Sequence, residues 1–268
     1  MDVKMEKITG IEKFPVGPVF MSAMTLDTAK NRVLDWVKTG ARHYVNVCAV
    51  ENIVKCAKNP ELAKIVNNAE MTATDGMPLV WLAHYYGFKN ATRVYGPDLM
   101  LALCSATAGA GSSAEAVSHF FYGGTPEVLE KLKTNLLKKY PGLKIAGMYA
   151  PPFRPLTEDE KKTVIEMINN SGAGIVWCGL GTPKQDYWVA EFRPHLNAAA
   201  LLSVGAAFNF HAGTVKQAPR WMMRCGLEWF FRLLMEPRRL WKRYLIGNFQ
   251  FIFIIVPQLF RGRKILEK

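Results

Sequence analysis

At 268 residues and half apolar content, the chain is large enough for one α/β domain, or for one such domain with an appendage; it has no low-complexity tract and no 20–50-residue repeat. Its five cysteines (48, 56, 104, 178 and 225) are odd in number and lack metal-site spacing, and Asp2, Lys4, Glu6 and Lys7 leave no apolar leader, so the composition argues for reduced thiols in a cytoplasmic protein without a secretory signal. The net charge of +12 is uneven: residues 218–268 carry +8 beside Trp, Phe and Leu and the first 217 carry +4, a pattern that points to an anionic membrane surface or a polyphosphate ligand.

Strand-like and helix-like segments then alternate along the chain. Val19–Met24 predicts a strand. Thr25 suits a helix cap, with Leu26, Ala29, Val33, Trp36 and Val37 on one face of a helix ending near Gly40. His43–Val50 predicts a strand, and Asn52–Lys58 and Pro60–Asn67 predict helices. Met71–Thr74 reads as a short strand, Leu79–Gly87 and Pro97–Ala108 as helices, and Gly109–Ser113 as a polar loop.

The second half repeats the alternation. His119–Tyr122 is a strand, followed by Gly123-Gly124-Thr125-Pro126 and a helix to Tyr140. Lys144–Tyr149 is a strand and Pro151–Pro155 a loop, and Thr157 with Glu160 makes a capping box. Gly174–Cys178 reads as a buried strand before Gly179-Leu180-Gly181-Thr182-Pro183 and another helix, and Ala199–Phe208 as a last apolar strand. The alternation implies an α/β fold: a Rossmann-like, mostly parallel sheet with helices on both faces, over residues 1–217.

Past Gly213 the pattern changes, and residues 218–268 read as a basic amphipathic appendage. Pro219 suits a first helical turn. Leu227, Phe230, Phe231 and Leu234 share a helical face, and Arg224, Glu228 and Arg232 share another. Pro237 reads as an interruption. Leu245–Phe260, with Asn248, Gln250, Pro257 and Gln258 inside it, reads as too short and too interrupted for a transmembrane helix, leaving an interfacial helix, which the charge pattern favours, or a buried core helix.

Three features carry chemistry. Asp75, in Thr74-Asp75-Gly76, follows a short strand and precedes a helix; a carboxylate there lies at the sheet rim where ligands bind, and serves either as a general base or as a helix cap. Arg93 can hold a phosphate in a planar fork. The two glycine turns suit either close backbone approach to a phosphate at a helix N-terminus or ordinary tight turns. Neither matches G-x-G-x-x-G, and no Walker A sequence, G-x-S-x-G elbow or D-x-D pair is present. The five scattered histidines show no ligand spacing, so no metal site is expected.

Several motifs in order resemble the WecG/TagA/CpsF glycosyltransferases (glycosyltransferase family 26). They are Ala73-Thr74-Asp75-Gly76-Met77-Pro78, Arg93-Val94-Tyr95-Gly96-Pro97-Asp98, Gly179-Leu180-Gly181-Thr182-Pro183-Lys184-Gln185, Val204-Gly205-Ala206-Ala207-Phe208-Asn209-Phe210 with Ala212-Gly213, and Ala218-Pro219-Arg220-Trp221, Gly226-Leu227-Glu228-Trp229 and Glu236-Pro237-Arg238-Arg239-Leu240-Trp241 in the tail. The resemblance implies inverting transfer of a hexose or N-acetylhexosamine (N-acetylmannosamine or glucose) from a UDP-sugar to a polyprenyl-diphosphate-linked sugar in cell-surface polysaccharide synthesis. It implies no cofactor, and a peripheral site on the inner face of the cell membrane.

On the resemblance, Asp75 falls at the family's catalytic base, and Arg93 and Gln185 at positions implicated in activity and donor binding. Donor contacts are expected from Cys48, Gly123, Gly124, Gly179, Gly181, Pro183, Lys184, Gln185 and Asn209, and acceptor-diphosphate contacts from Arg232, Arg238 and Arg239. Cys48 stands where the family often has Thr, and Asn209 where many members carry Asp. A non-catalytic, nucleotide-binding membrane module is the main alternative. A nucleic-acid ligand is not expected, because no RNA-binding motif accompanies the basic tail, and an epimerase would want a dinucleotide fingerprint. The apolar tail is compatible with self-association.

Overall fold

The computed structural model describes residues 10–109 and 117–266, with side chains described as far as Phe260. The charged N-terminal residues and positions 110–113 of the polar loop lie outside that range. The described chain opens with a hairpin, Lys13–Val16 (β1) and Val19–Ser22 (β2), turned at Gly17 with φ 57°. The sequence announces only its second arm, because Pro15 interrupts the strand pattern of the first.

Helix α1 (Leu26–Thr39) forms as its signals dictate: the Thr25 side chain accepts the Thr28 N–H, and Gly40 closes the helix in the left-handed region. Its apolar face buries Ala29, Val33 and Trp36. Strand β3 (His43–Cys48) leads to α2 (Val50–Lys58) and α3 (Pro60–Asn67), and β4 (Met71–Thr74) leads to α4 (Met77–Tyr85) and α5 (Gly96–Ala108). Next come β5 (Ser118–Tyr122), α6 (Pro126–Lys139), β6 (Lys144–Tyr149), α7 (Glu158–Asn170), β7 (Ile175–Cys178), α8 (Lys184–Phe192) and β8 (Ala200–Ser203). The Thr157–Glu160 capping box at the head of α7 is present in full.

Among the described residues, six strands form one parallel sheet in the order β4-β3-β8-β7-β5-β6. Period-two alternation sends Val45, Val47, Trp177 and Leu202 into a core with α1, α5 and α6. It sends Tyr44, Val176, Cys178 and Leu201 into a core with α7 and α8 on the other face. Both faces being covered, the central strands are mostly apolar rather than alternating, with Asn46, His119 and Ser203 as buried polar exceptions.

Two expectations need correction. The run Ala199–Phe208 is not one strand. It ends at Ser203, Gly205 turns with φ 53°, and α9 (Ala207–His211) begins. An unbroken apolar run has no period with which to mark that change.

Pro237 does interrupt the helical run as read, but the helix it starts is longer than the stretch Leu245–Phe260 that read as too short to cross a membrane. After α10 (Arg220–Arg224) and α11 (Glu228–Met235), helix α12 (Pro237–Trp241) continues through a π-helical turn at Lys242–Ile246 into α13 (Gly247–Leu266). Proline lacks only an N–H that a first helical turn leaves unbonded anyway. The stretch Pro237–Phe260 spans 24 residues and holds an 18-residue window of mean hydropathy 1.3, long and apolar enough by length and composition to cross a membrane. One side of it is nevertheless committed to the protein. Leu240, Tyr244, Phe251 and Ile255 are buried. Gln258 donates to the Pro15 carbonyl (2.8 Å) and the Tyr86 hydroxyl (2.6 Å), and accepts the Gly17 N–H (2.7 Å).

Candidate functional site

Strands β3, β4, β7 and β8 end at one rim, and two adjoining clefts open there. A small polar cleft of about 90 Å³ is walled by Asn52, Asp75, Tyr95, Gly181, Thr182, Gln185 and Gly205. A larger apolar cleft of about 500 Å³ lies between α4 and the C-terminal helices, walled by Met77, Trp81, Trp229, Tyr244, Phe249 and Ile252 among others. Asp75, Glu51, Glu228, Arg232 and Arg243 belong to both.

Asp75 is held from several sides. Its N–H donates to the Cys48 carbonyl (2.9 Å), tying the turn after β4 to the end of β3. Its Oδ1 accepts the N–H of Gly96, the first residue of α5, at 3.4 Å. A Cβ on Gly96 would lie 3.3 Å from the Val204 carbonyl oxygen just past β8, a tight contact. Arg93 donates through Nε to the Asp75 carbonyl and keeps Nη2 3.8 Å from Asp75 Oδ1.

The same guanidinium makes a tighter contact with Glu228 of α11. Arg93 Nη2 donates to Glu228 Oε2 at 2.6 Å, and the Tyr95 hydroxyl donates to Glu228 Oε1 at 3.0 Å. Arg93 also stacks over the Tyr95 ring, 4.0 Å from its centroid. Withdrawal from water pushes the Asp75 carboxyl up to about 6; Arg93 opposes the rise, Glu228 adds to it, and the Gly96 N–H and Arg243 oppose it further.

A second polar cluster lies behind the polar cleft. Asn52 accepts the Ala49 N–H (3.1 Å) and donates to Thr182 Oγ1 (2.9 Å). Lys55 donates to the Thr182 carbonyl (2.9 Å) and pairs with Glu51 (2.7 Å), whose other oxygen faces Arg243 Nε at 2.8 Å. Asp186 is fully buried beside them. Burial pushes its carboxyl up to about 7, against the Thr182 hydroxyl and Lys55 and with some help from Glu51. Among the described residues, no three His, Cys, Asp or Glu side chains converge as metal ligands would. The carboxylates of the clefts face arginines and lysines instead.

A family model described as the glycosyl transferase WecG/TagA/CpsF family matches residues 14–265. The chain belongs to this family. WecG/TagA/CpsF proteins are glycosyltransferases of cell-surface polysaccharide synthesis, so the clefts belong to a protein that handles a sugar donor and an acceptor.

The structure brings only some of the residues expected to act in this WecG/TagA/CpsF chain to the clefts. Asp75 and Arg232 line both, Arg93 lines the apolar one, and Gly181 and Gln185 line the polar one. Gln185 accepts the Gly181 N–H at 3.1 Å and so shapes the turn. Arg232 lies 5.4 Å from the Phe210 ring centroid. Its buried Nε has no hydrogen-bond partner among the described residues.

The others lie elsewhere, each for a packing reason. Cys48 is fully buried among apolar neighbours in the core beneath the hairpin and lines neither cleft. Gly123 and Gly179 face each other: a Cβ on Gly123 would lie 2.8 Å from the Gly179 carbonyl carbon, and one on Gly179 would lie 2.6 Å from the Phe208 ring. Gly124, with φ 72°, packs against Val128. Gly123 and Gly179 thus serve the close approach of the turns after β5 and β7, and none of the three glycines lines either cleft. Pro183 precedes α8, where its carbonyl accepts the Asp186 and Tyr187 N–H groups, and Lys184 is exposed outside both clefts.

Asn209 accepts from Thr214 and holds the turn after α9. Arg238 and Arg239 are exposed on α12 and line neither cleft, and Arg239 pairs with Glu236 at 2.6 Å. Arg243, one helical turn after Arg239, takes the inward position. The residues that sequence reasoning passed over are Tyr95, Glu228, Arg243, Glu51, Asn52 and Asp186. Tyr95 and Glu228 sat inside the recognised motifs, two positions after Arg93 and at the head of an amphipathic helix. Nothing in the spacing of Asn52 or Asp186 sets them apart from helix-surface residues.

Proposed function

We propose that the chain is an inverting glycosyltransferase that moves a hexose or N-acetylhexosamine from a UDP-sugar to a polyprenyl-diphosphate-linked sugar at the inner face of the cell membrane. The observation that carries this reading is the position of Asp75 in the wall shared by the polar and apolar clefts. A soluble nucleotide-sugar suits the polar cleft at the sheet rim, as ligands of open α/β sheets do. A prenyl chain suits the apolar cleft, whose wall residues Phe249 and Ile252 are also exposed on the outer face of the C-terminal helix. The cleft is therefore continuous with an apolar outer surface.

In this mechanism the acceptor hydroxyl oxygen forms its bond to the anomeric carbon of the donor as the bond from that carbon to the diphosphate oxygen breaks. The proton passes to Asp75 and the electron pair leaves with UDP. A base with a pKa about 6 is ionised near neutral pH yet basic enough to take a proton in flight. Arg232 and Arg243, present in both clefts, supply positive charge for the leaving diphosphate. The exposed Phe253 and Phe260 and the cationic Arg238, Arg239 and Lys242 suit an anionic bilayer surface. Side-on packing of the helix against α2 and the hairpin favours lying on the bilayer over crossing it.

The test is a mass-detected screen of UDP-sugars, including UDP-N-acetylmannosamine and UDP-glucose, against a polyprenyl-diphosphate-linked sugar. Asp75→Asn should lose on the order of 10²–10⁴ in turnover while melting as the parent does. Unchanged turnover in that variant removes Asp75 as the base. UDP binding without transfer from any donor favours the non-catalytic module.

A further inference from the structure

We infer that Glu228 is a positioning residue for the transfer: by taking the tight contact with Arg93, it keeps the guanidinium from closing on Asp75 and leaves that carboxylate free to accept the proton. The inference rests on the proposed role of Asp75 as base.

The geometry divides one guanidinium between two carboxylates unequally. Arg93 Nη2 lies 2.6 Å from Glu228 and 3.8 Å from Asp75 Oδ1. A base locked in a short guanidinium pair would be both acidified and sterically occupied. Arg93 is itself fixed by its Nε contact to the Asp75 carbonyl and by stacking on Tyr95, so the terminal nitrogens have little freedom beyond a choice of partner. The Tyr95 hydroxyl fixes the other Glu228 oxygen at 3.0 Å, which orients the carboxylate toward Arg93.

The charged groups around Asp75 come from several elements. Arg93 and Tyr95 lie on the segment before α5, Glu228 and Arg232 on α11, Arg243 on the C-terminal helix and Glu51 on α2. Arg93 and Arg243 oppose protonation of Asp75 and Glu228 favours it. Replacing Glu228 by an amide removes a negative charge from this group and also frees Arg93 to approach. Both effects lower the Asp75 pKa and weaken it as a base. Because Glu228 sits on α11, the base acquires its working environment only when the C-terminal helices are docked on the sheet.

The experiment measures kcat/KM against pH, with a UDP-sugar donor and a lipid-diphosphate acceptor, for the parent, Glu228→Gln and Asp75→Asn, with thermal melts of each. Activity is lost as pH falls through the Asp75 pKa. In Glu228→Gln that acid limb should move about one unit to lower pH, and the plateau should fall up to about tenfold because a weaker base takes the proton less readily. If Glu228→Gln does not melt cooperatively, Glu228→Asp is used, whose shorter carboxylate draws back from Arg93. It should shift the limb in the same direction by less. A folded Glu228 variant that keeps the parent acid limb overturns the inference, whatever its plateau. If Asp75→Asn retains turnover, the base reading itself fails and this inference with it. If Asp75→Asn is inactive and the limb does not move, only the role of Glu228 is refuted.

Discussion

Arg93 and Glu228 meet at 2.6 Å, 135 positions apart in sequence, where the segment before α5 touches the first turn of α11. One partner belongs to the α/β body and the other to the basic C-terminal helices. The candidate site is thus built by both, and a chain lacking residues after Gly213 would lose Glu228, Arg232 and Arg243 from its walls.

The two inward arginines should matter more than the two outward ones. Arg232→Ala and Arg243→Ala each remove a charge from the shared wall and should cost about 10–100-fold in turnover, the worth of a charge-assisted hydrogen bond. Arg238→Ala and Arg239→Ala should stay within about threefold, because exposed charges contribute little. A detergent assay with a short-chain acceptor separates these effects from membrane binding. Equal losses at all four positions would place the acceptor diphosphate on the outer face of α12.

The facing glycines should be sensitive to stability, not to donor. Gly123→Ala and Gly179→Ala force a Cβ to within 2.8 Å of backbone and 2.6 Å of the Phe208 ring, respectively. Overpacking of this kind costs about 1–3 kcal/mol, or roughly 3–10 °C in melting temperature for a domain of this size. Gly181→Ala meets open space, so it should cost only the strain of φ 80° and should raise the donor KM instead. A melting series beside donor titrations distinguishes the two. An unshifted melt for Gly179→Ala would mean the Phe208 ring yields freely.

Buried carboxyls set a pH dependence of stability. Asp186 is pushed up to about 7 and Asp75 to about 6, both from 3.8. Between those values the folded chain holds protons that the unfolded chain releases, so stability falls as pH rises from about 4 to about 7. The melting temperature should therefore rise on acidification from about pH 8 to about pH 5. Asp186→Asn should flatten the slope and melt higher than the parent at about pH 8, by up to about 4 kcal/mol of stability. A parent that melts lower at about pH 5 than at about pH 8 contradicts the assignment.

Vesicle binding should follow the exposed aromatic row. Phe253 and Phe260 are 75% and 68% exposed, so changing them to Gln should leave the fold intact. Burying a Phe in an apolar phase contributes about 1.5–3 kcal/mol, so each substitution should weaken sedimentation with anionic vesicles about tenfold or more. Added salt should weaken the remaining, charge-dependent part. Undiminished sedimentation would move the membrane contact to another surface.

Much of the fold could be read from local chemistry. Thr25 and Gly40 bound α1, Thr157 and Glu160 open α7, and the parallel sheet follows from strands alternating with helices. Errors came where one signal has two physical uses. An unbroken apolar run can be strand or helix, and Ala199–Phe208 is one and then the other. A glycine after a strand can admit a ligand or a neighbouring turn, so Gly123 and Gly179, which face each other, could not be sorted by sequence alone. In the site, Asp75 could be named because a strand-to-helix carboxylate stands out locally. The groups that tune it, Glu228 and Arg243, are defined by contacts 133 or more positions away, which no local pattern encodes.

The fastening of the C-terminal helix has a geometric consequence. Gln258 grips the hairpin at one end while Arg243 meets Glu51 near the other. Successive residues of a helix differ by about 100° in azimuth. A roll by one position would expose Phe251 and Ile255 and break both fastenings, so the aromatic row cannot drift around the helix axis. Its bearing relative to the sheet is fixed, as a keel's is to its hull. Any surface that row settles on therefore meets the sheet rim at a single, preset inclination.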